Sequence, residues 1–366
     1  MAQPRKPPEL IDDAIGEILL RIPPGESVCK LWRRILSDPD FTRRYRAFHR
    51  TPPLLGFLYN SDVDGLFYPT MASCPFPQSA FDCSRWLTLD DRRRLWAVDC
   101  RHGRVLLLNR DTRNLVVWDP ITGGKEELPK PHIPNTFYSG VMVLCAAAGC
   151  DHRNCLGGPF LVVFVGTEGR SVLAFVYSSK ARAWGMPVSV NIGNGGYYFF
   201  DSAKRGALVG DNAYFTLRKL VFGDHDEFTL RKGTKIMKYD LGKNFLSVID
   251  MGRERDAFLI PMEDGSLGFA DIRDSTLYLW RWRVAGWVPC RVINLEKLLP
   301  SNISCNNQAN LVGFAEGVGV AFVRIDTSLF MIELKSEPVR KVCEVRRFYT
   351  ILAFMSFYTP GTVPPY

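Results

Sequence analysis

Apolar positions recur every three or four residues along the first fifty positions, then give way to alternation and short β-branched runs. In the first segment Ala14, Ile15, Ile18, Leu19 and Ile22 predict a helix that Asp12 and Asp13 can cap and Pro23-Pro24-Gly25 stops. Val28, Leu31, Trp32, Ile35 and Leu36 predict a second helix, broken by Ser37-Asp38-Pro39. Phe41, Tyr45 and Phe48 predict a third amphipathic stretch, with Arg43, Arg44, Arg46 and Arg50 on its polar side. So small a helical unit buries too little to be stable alone. Its apolar stripe needs a cover, either the rest of the chain or the helices of a partner.

From Thr51 onward the pattern predicts strands punctuated by turn chemistry. Val105–Leu108, the turn Asn109–Asn114 and Leu115–Trp118 read as strand, turn, strand, and Asp119-Pro120-Ile121-Thr122-Gly123-Gly124 reads as the next turn. Comparable units run from Ser171–Tyr177 to Trp184, from Lys235–Tyr239 to Phe245–Ile249, from Leu267–Asp271 to Leu277–Trp280, and from Gly319–Ile325 to Leu329–Leu334. Their loose repeat, near fifty residues, is the scale of one four-stranded propeller blade. At roughly 45–50 residues per blade, the segment predicts about six or seven blades. A stacked β-sandwich remains open on periodicity alone. The expected fold class is therefore α+β and multidomain: helices over 1–50, then an all-β, propeller-like repeat domain over 51–366.

Composition changes this picture little. Of 366 residues, 46% are hydrophobic and 23% charged, which are globular values. The longest apolar runs, Val141–Gly149 and Phe160–Val165, fall far short of the ~20 residues that span a bilayer. MAQPRKPPEL lacks the apolar core of a signal peptide. A cytoplasmic or nuclear location is expected, with the ten Cys reduced. The net charge of +8 has no single home: residues 1–50 carry 10 Lys and Arg against 7 Asp and Glu, and the remainder 36 against 31. Arg43-Arg44 and Arg92-Arg93-Arg94 lack the interleaved aromatics of a single-strand binder, so no nucleic acid and no membrane is expected as a partner.

The wording of the first fifty residues is more specific. LIDDAIGEILLRIPP followed by SVCKLWRRILSDPDFTRRYRAFHRTPPLLGF resembles an F-box, in the version found in large plant families. Leu10, Asp12, Asp13, Ile15, Glu17, Ile18, Leu19, Leu20, Arg21, Ile22 and Pro23 match the first helix of that pattern, and Val28, Cys29, Lys30, Trp32, Arg33 and Leu36 the last. The chain departs from the family at Ile11, at Gly16, and between Pro24 and Ser27, where the resemblance implies about ten more residues than Gly25 and Glu26. CRHGRVLLL and LVVWDPITG are similar to the start of the associated domains that follow F-boxes in plants, and the closing FMSFYTP to the end of the grass versions.

The resemblance implies a substrate-recognition subunit of a Skp–cullin–F-box ubiquitin ligase. Leu10, Ile15, Ile18, Leu19, Ile22, Pro23, Val28, Cys29 and Trp32 would dock the Skp-family adaptor, and through it a cullin, while the β-domain recruits an unknown protein target. The alternative is an interaction scaffold whose shortened F-box does not enter a ligase.

Candidate chemistry is sparse. Cys145, Cys150, His152 and Cys155 form C-x4-C-x-H-x2-C, but structural zinc sites usually use two separated pairs, and these four share one Gly-rich stretch. They are read as an inter-blade loop with reduced thiols, and neither metal nor cofactor is expected. No G-x-S-x-G elbow, phosphate-cradling loop or dinucleotide fingerprint occurs. Gly193–Gly196 reads as a turn and Asp224–Glu227 as a solvated loop. No catalytic residue is expected and the chain is not expected to be an enzyme. Trp280, Trp282 and Trp287 are expected in blade cores, or in part on a recognition surface.

Overall fold

The computed structural model describes residues 12–21, 35, 38–60, 67–70, 95–129, 131, 139–153, 155, 157–193, 197–201, 204–222, 228–252, 256–284, 286–299, 309–336, 338–344 and 350–357. For residues 12–14, 220–222 and 228–234 the backbone alone is described. Helices come first: α1 is Asp12–Arg21 and α2 is Pro39–His49. Of the predicted second helix only Ile35 is described, and it is helical. Within the predicted break at Ser37-Asp38-Pro39, Asp38 and Pro39 start α2: the Asp38 carboxylate accepts from the Asp40 and Phe41 N–H groups at 2.8 and 2.9 Å, and Pro39 occupies the first turn.

Strands follow from Leu54. Among the described residues they form six antiparallel sheets arranged as the blades of a propeller, the lower of the two expected numbers. The first blade is β3 (Leu95–Arg101), β4 (Arg104–Asn109), β5 (Leu115–Trp118) and β6 (Lys125–Leu128). The second is β7 (Gly140–Cys145), β8 (Phe160–Glu168) and β9 (Ser171–Ser178), on which both β10 (Ala183–Trp184) and β11 (Val188–Asn191) pair. In the third, β12 (Tyr197–Phe200) and β13 (Ala207–Val209) lie end to end along β14 (Asn212–Phe222), followed by β15 (Phe228–Asp240) and β16 (Phe245–Asp250). The fourth is β17 (Phe258–Pro261), β18 (Leu267–Arg273), β19 (Thr276–Arg283) and β20 (Gly286–Asn294), with a one-turn helix α3 (Leu295–Leu298) after it. The fifth is β21 (Asn310–Ala315), β22 (Val320–Ile325), β23 (Ser328–Glu333) and β24 (Val339–Glu344).

The sixth blade closes the ring. It joins β1 (Leu54–Tyr59) and β2 (Phe67–Pro69) to β25 (Ile351–Met355), with Leu58 opposite Leu352 and Gly56 opposite Phe354. β25 is the inner strand and lies between β21 and β3. Gly56 is required there, because a Cβ would collide with the Phe67 ring and the Tyr68 carbonyl.

Packing explains why these strands read as short apolar runs rather than clean alternation. Each blade is covered on both faces by its neighbours, so both side-chain sets of a strand within it can be buried. Leu115, Val116, Val117 and Trp118 are all buried, for example. The core is correspondingly divided into six clusters, each spanning two adjacent blades. Leu55, Leu58 and Phe354 meet Leu107 and Trp118 between the sixth and first, while Phe57 and Ala353 meet Phe322 between the fifth and sixth. Each fully buried Leu or Phe contributes roughly 1.5–3 kcal/mol. Trp280, Trp282 and Trp287 pack into the cluster between the third and fourth blades, and the Trp280 indole N–H donates to Asp271 at 2.8 Å.

Candidate functional site

Two surfaces meet at one end of the propeller: the helical pair and the loops beneath it. In the helical pair Ile15, Leu19, Leu20 and Phe41 form a small buried cluster, with Ile35 and Tyr45 packed against it. The stripe expected to dock the adaptor therefore divides. Ile15 and Leu19 are consumed in holding α1 on α2, whereas Ile18 is 46% exposed. Leu10, Ile22, Pro23, Val28, Cys29 and Trp32 lie outside the described residues. Leu20, not singled out from the sequence pattern as a docking residue, is buried, and its carbonyl lies 3.0 Å from the His49 ring. Glu17 pairs with Arg21 on its own helix and ties α1 to α2 through Arg44.

α2 also touches the propeller. Tyr45 meets Phe357, just beyond β25, edge to face with ring centroids 6.4 Å apart. Arg50 ends α2 in a left-handed conformation (φ 58°) and turns the chain toward β1. Phe48 remains 55% exposed. With Ile18 it supplies exposed apolar surface on both helices.

Beneath α2 lies a cavity of about 270 Å³, bounded by Arg50–Pro52, the β3–β4 turn at Arg101–Gly103, Asp151–Arg153, Glu316 and the end of β25. Its floor is a buried ion network on the propeller axis. Asp99, fully buried on β3, accepts from the Arg205 guanidinium at 2.7 Å and from the Val143 N–H of β7 at 2.9 Å. Arg205 also donates to the Cys100 carbonyl at 2.6 Å. Arg101 donates to Glu316 at 2.6 Å and to the Gly206 carbonyl. Two guanidinium groups and two carboxylates thus balance, and their partners come from four blades. Burial works against the Arg205 charge, but Glu316 and Asp99 more than offset it and raise its pKa.

Protonation at this end follows from the same surroundings. Burial pushes the Cys100 thiol up to about 12, so it stays protonated. Burial, together with His152, Arg101, Arg205 and Arg104, lowers His102 to about 3 and keeps its ring neutral. Nδ1 of that ring accepts the Cys145 N–H at 3.2 Å, and the ring stacks on His152 with centroids 4.1 Å apart.

The stretch read as a loop of reduced thiols is more organised than its spacing indicated. Ligand atoms of Cys145, Cys150, His152 and Cys155 all lie within 4.8 Å of one another. Of the expected turn at Gly193–Gly196 only Gly193 is described, and the expected acidic loop at Asp224–Glu227, like Arg92–Arg94, lies outside the described residues. The axis network had no signal in the sequence, since Asp99 and Arg205 are 106 positions apart.

No known family's sequence profile matches the chain. A curated Arabidopsis thaliana protein described as an F-box protein is 23% identical over 255 residues, covering 67% of this chain and 62% of that protein. The chain thus spans less than two thirds of that relative's length. Among solved structures, it is similar to the WD40 domain of SCAP from fission yeast (TM-score 0.37, 11% identity, 72% of this chain and 57% of that one). It is also similar to the Dos1 propeller (TM-score 0.36, 12% identity, 72% and 60%). No helix among the described residues is long and apolar enough to cross a membrane.

Proposed function

We propose that this chain is a non-catalytic, F-box-type substrate-binding subunit. The helical pair engages a Skp-family adaptor, and through it a cullin, while the propeller holds a protein target. The observation that carries the reading is the arrangement at the helical end: α2 rests on the propeller through Tyr45 and Phe357 and leaves Ile18 and Phe48 uncovered. The F-box-like wording of residues 10–36 and the similarity to the Arabidopsis F-box protein support it. Catalysis would then come from proximity. Holding a target beside a ubiquitin-conjugating enzyme makes the transfer effectively intramolecular, and no side chain of this chain takes part in it. The protonated Cys100 thiol and neutral, stacked His102 fit that role, because neither is poised as a nucleophile or base.

Capture of purified Skp-family adaptor by the full chain tests the reading. Binding at micromolar concentration that is weakened by Ile18→Asp supports it, and no binding sinks it. The shortened segment between Pro24 and Ser27 favours a second reading, an interaction scaffold that has left the ligase. Inserting family-length sequence after Pro24 separates the two: gain of adaptor binding from a non-binding parent would identify the scaffold.

A further inference from the structure

We propose that Cys145, Cys150, His152 and Cys155 form a closed structural zinc site that fixes the β7–β8 loop under the helical pair. Geometry carries the argument. In a tetrahedral site with Zn–S bonds of about 2.3 Å, neighbouring ligand atoms lie about 3.8 Å apart. Here the Cys150 and Cys155 sulfurs are 3.6 Å apart, Cys155 Sγ is 3.7 Å from His152 Nδ1, and all four ligand atoms fall within 4.8 Å. Three thiolates and one imidazole form a recurrent ligand set of structural zinc, and four protein ligands leave no open position for chemistry.

The fold supplies what the missing second pair of a paired-knuckle spacing would otherwise supply. Cys145 ends β7 and is held opposite Phe160 in the β7–β8 ladder, so the two ends of the loop are already fixed. Between them Gly149, His152 and Gly157 adopt left-handed conformations (φ 63°, 59° and 64°), which fold the chain back on itself. For His152 this conformation is uncommon, and its surroundings must impose it. Its own N–H points to Cys150 Sγ at 3.4 Å, which ties the two ligand positions together.

Groups around the ligands hold them in place. Arg104 donates to the Cys155 and Gly158 carbonyls at 2.6 Å each, pinning the return limb. His102, fixed by the Cys145 N–H, stacks on the His152 ring and sets its plane. Such supporting contacts are the usual means of orienting metal ligands. Three thiolates around Zn²⁺ leave one net negative charge, which the Arg104 guanidinium beside the loop complements. His152 is exposed, which gives the ion a route in.

A zinc ion here would also act on the helical end, because Asp151 and Arg153 of the same loop border the cavity beneath Arg50–Pro52. The test uses the full chain, purified under reducing conditions and exposed to zinc before gel filtration. Elemental analysis should find one zinc per chain, and replacement by cobalt should give the visible absorption of a tetrahedral cobalt thiolate. The double variant Cys150→Ser/Cys155→Ser should carry none, while Cys290→Ser/Cys343→Ser should keep its ion. Folded wild-type protein without zinc, zinc retained in the first double variant, or a Cys150–Cys155 disulfide in the reduced preparation would each overturn the proposal. If the first double variant fails to fold, the wild-type cobalt spectrum decides: tetrahedral thiolate absorption supports the site and its absence refutes it.

Discussion

Asp99 shows how much one side chain can hold together in this molecule. Its carboxylate serves Arg205 and the Val143 N–H at once, joining the first blade to the second and third, with no exposure to solvent. Replacing it with Ala would strand a buried guanidinium, so Asp99→Ala is expected to cost about 3–5 kcal/mol in chemical denaturation. Glu316 is 24% exposed and water can replace it in part, so Glu316→Gln should cost clearly less. Equal losses for the two would contradict these roles in the network. Asn60 offers a second test of the same kind. Its side-chain amide pairs with both the N–H and the C=O of Ala97, at 2.9 and 2.8 Å, and so extends a strand ladder between blades. Asn60→Ala leaves both groups buried and unpaired, at about 1–3 kcal/mol each. An unchanged denaturation midpoint would show that water enters instead.

Among the elements, β25 and α2 have opposite importance for stability. β25 is the inner strand of the closing blade, and Phe354 on it is fully buried between β1, the first blade and the Phe67 ring. Phe354→Ala should cost about 3–5 kcal/mol and lower the cooperative melting temperature of the whole propeller. α2 depends on a cap. Asp38→Ala removes the acceptor for two N–H groups and should weaken the helix by about 0.5–2 kcal/mol. Faster amide exchange confined to residues 39–49, with the propeller melt unchanged, is the expected signature. Loss of the propeller transition would mean that the helices are part of the same cooperative unit. The third blade shows why the blade number was legible only to within one. Its β14 and β15 are 11 and 13 residues long, so it absorbs sequence that an even repeat would assign to a further blade.

At the scale of the whole molecule, the packing that holds the fold and the exposed apolar surface of the helices lie in separate places. The six inter-blade clusters hold the ring, while Ile18 and Phe48 stand on its helical end with their side chains largely in water. Phe48→Asp should therefore leave the thermal melt of the propeller within a degree or two of wild type, since exposed substitutions away from packed features change stability by only about ±0.5 kcal/mol. Under the proposed docking role it should also weaken adaptor capture. A large drop in melting temperature would assign Phe48 to the fold instead.

Local chemistry was readable from the chain alone. The strand pairs at Val105–Leu108 and Leu115–Trp118, at Leu267–Asp271 and Leu277–Trp280, and at Gly319–Ile325 and Leu329–Leu334 all lie within observed hairpins or differ only at their ends. Side-chain period and turn residues are properties of a few neighbours, which is why a one-dimensional pattern carries them. The first helix belongs to the same class: α1 covers Ala14, Ile15, Ile18 and Leu19 of the predicted stripe. Ring closure was not readable, because it pairs Leu54 with Met355 across nearly the whole chain. Nor was the meeting of Asp99, Arg101, Arg205 and Glu316 on the axis, where burial makes charge pairing obligatory. Tertiary packing likewise decided that Leu19 is covered and Ile18 exposed, although both belong to one apolar stripe. It also decided that three thiols and an imidazole converge, because the β7–β8 ladder fixes the distance across which their loop must fold.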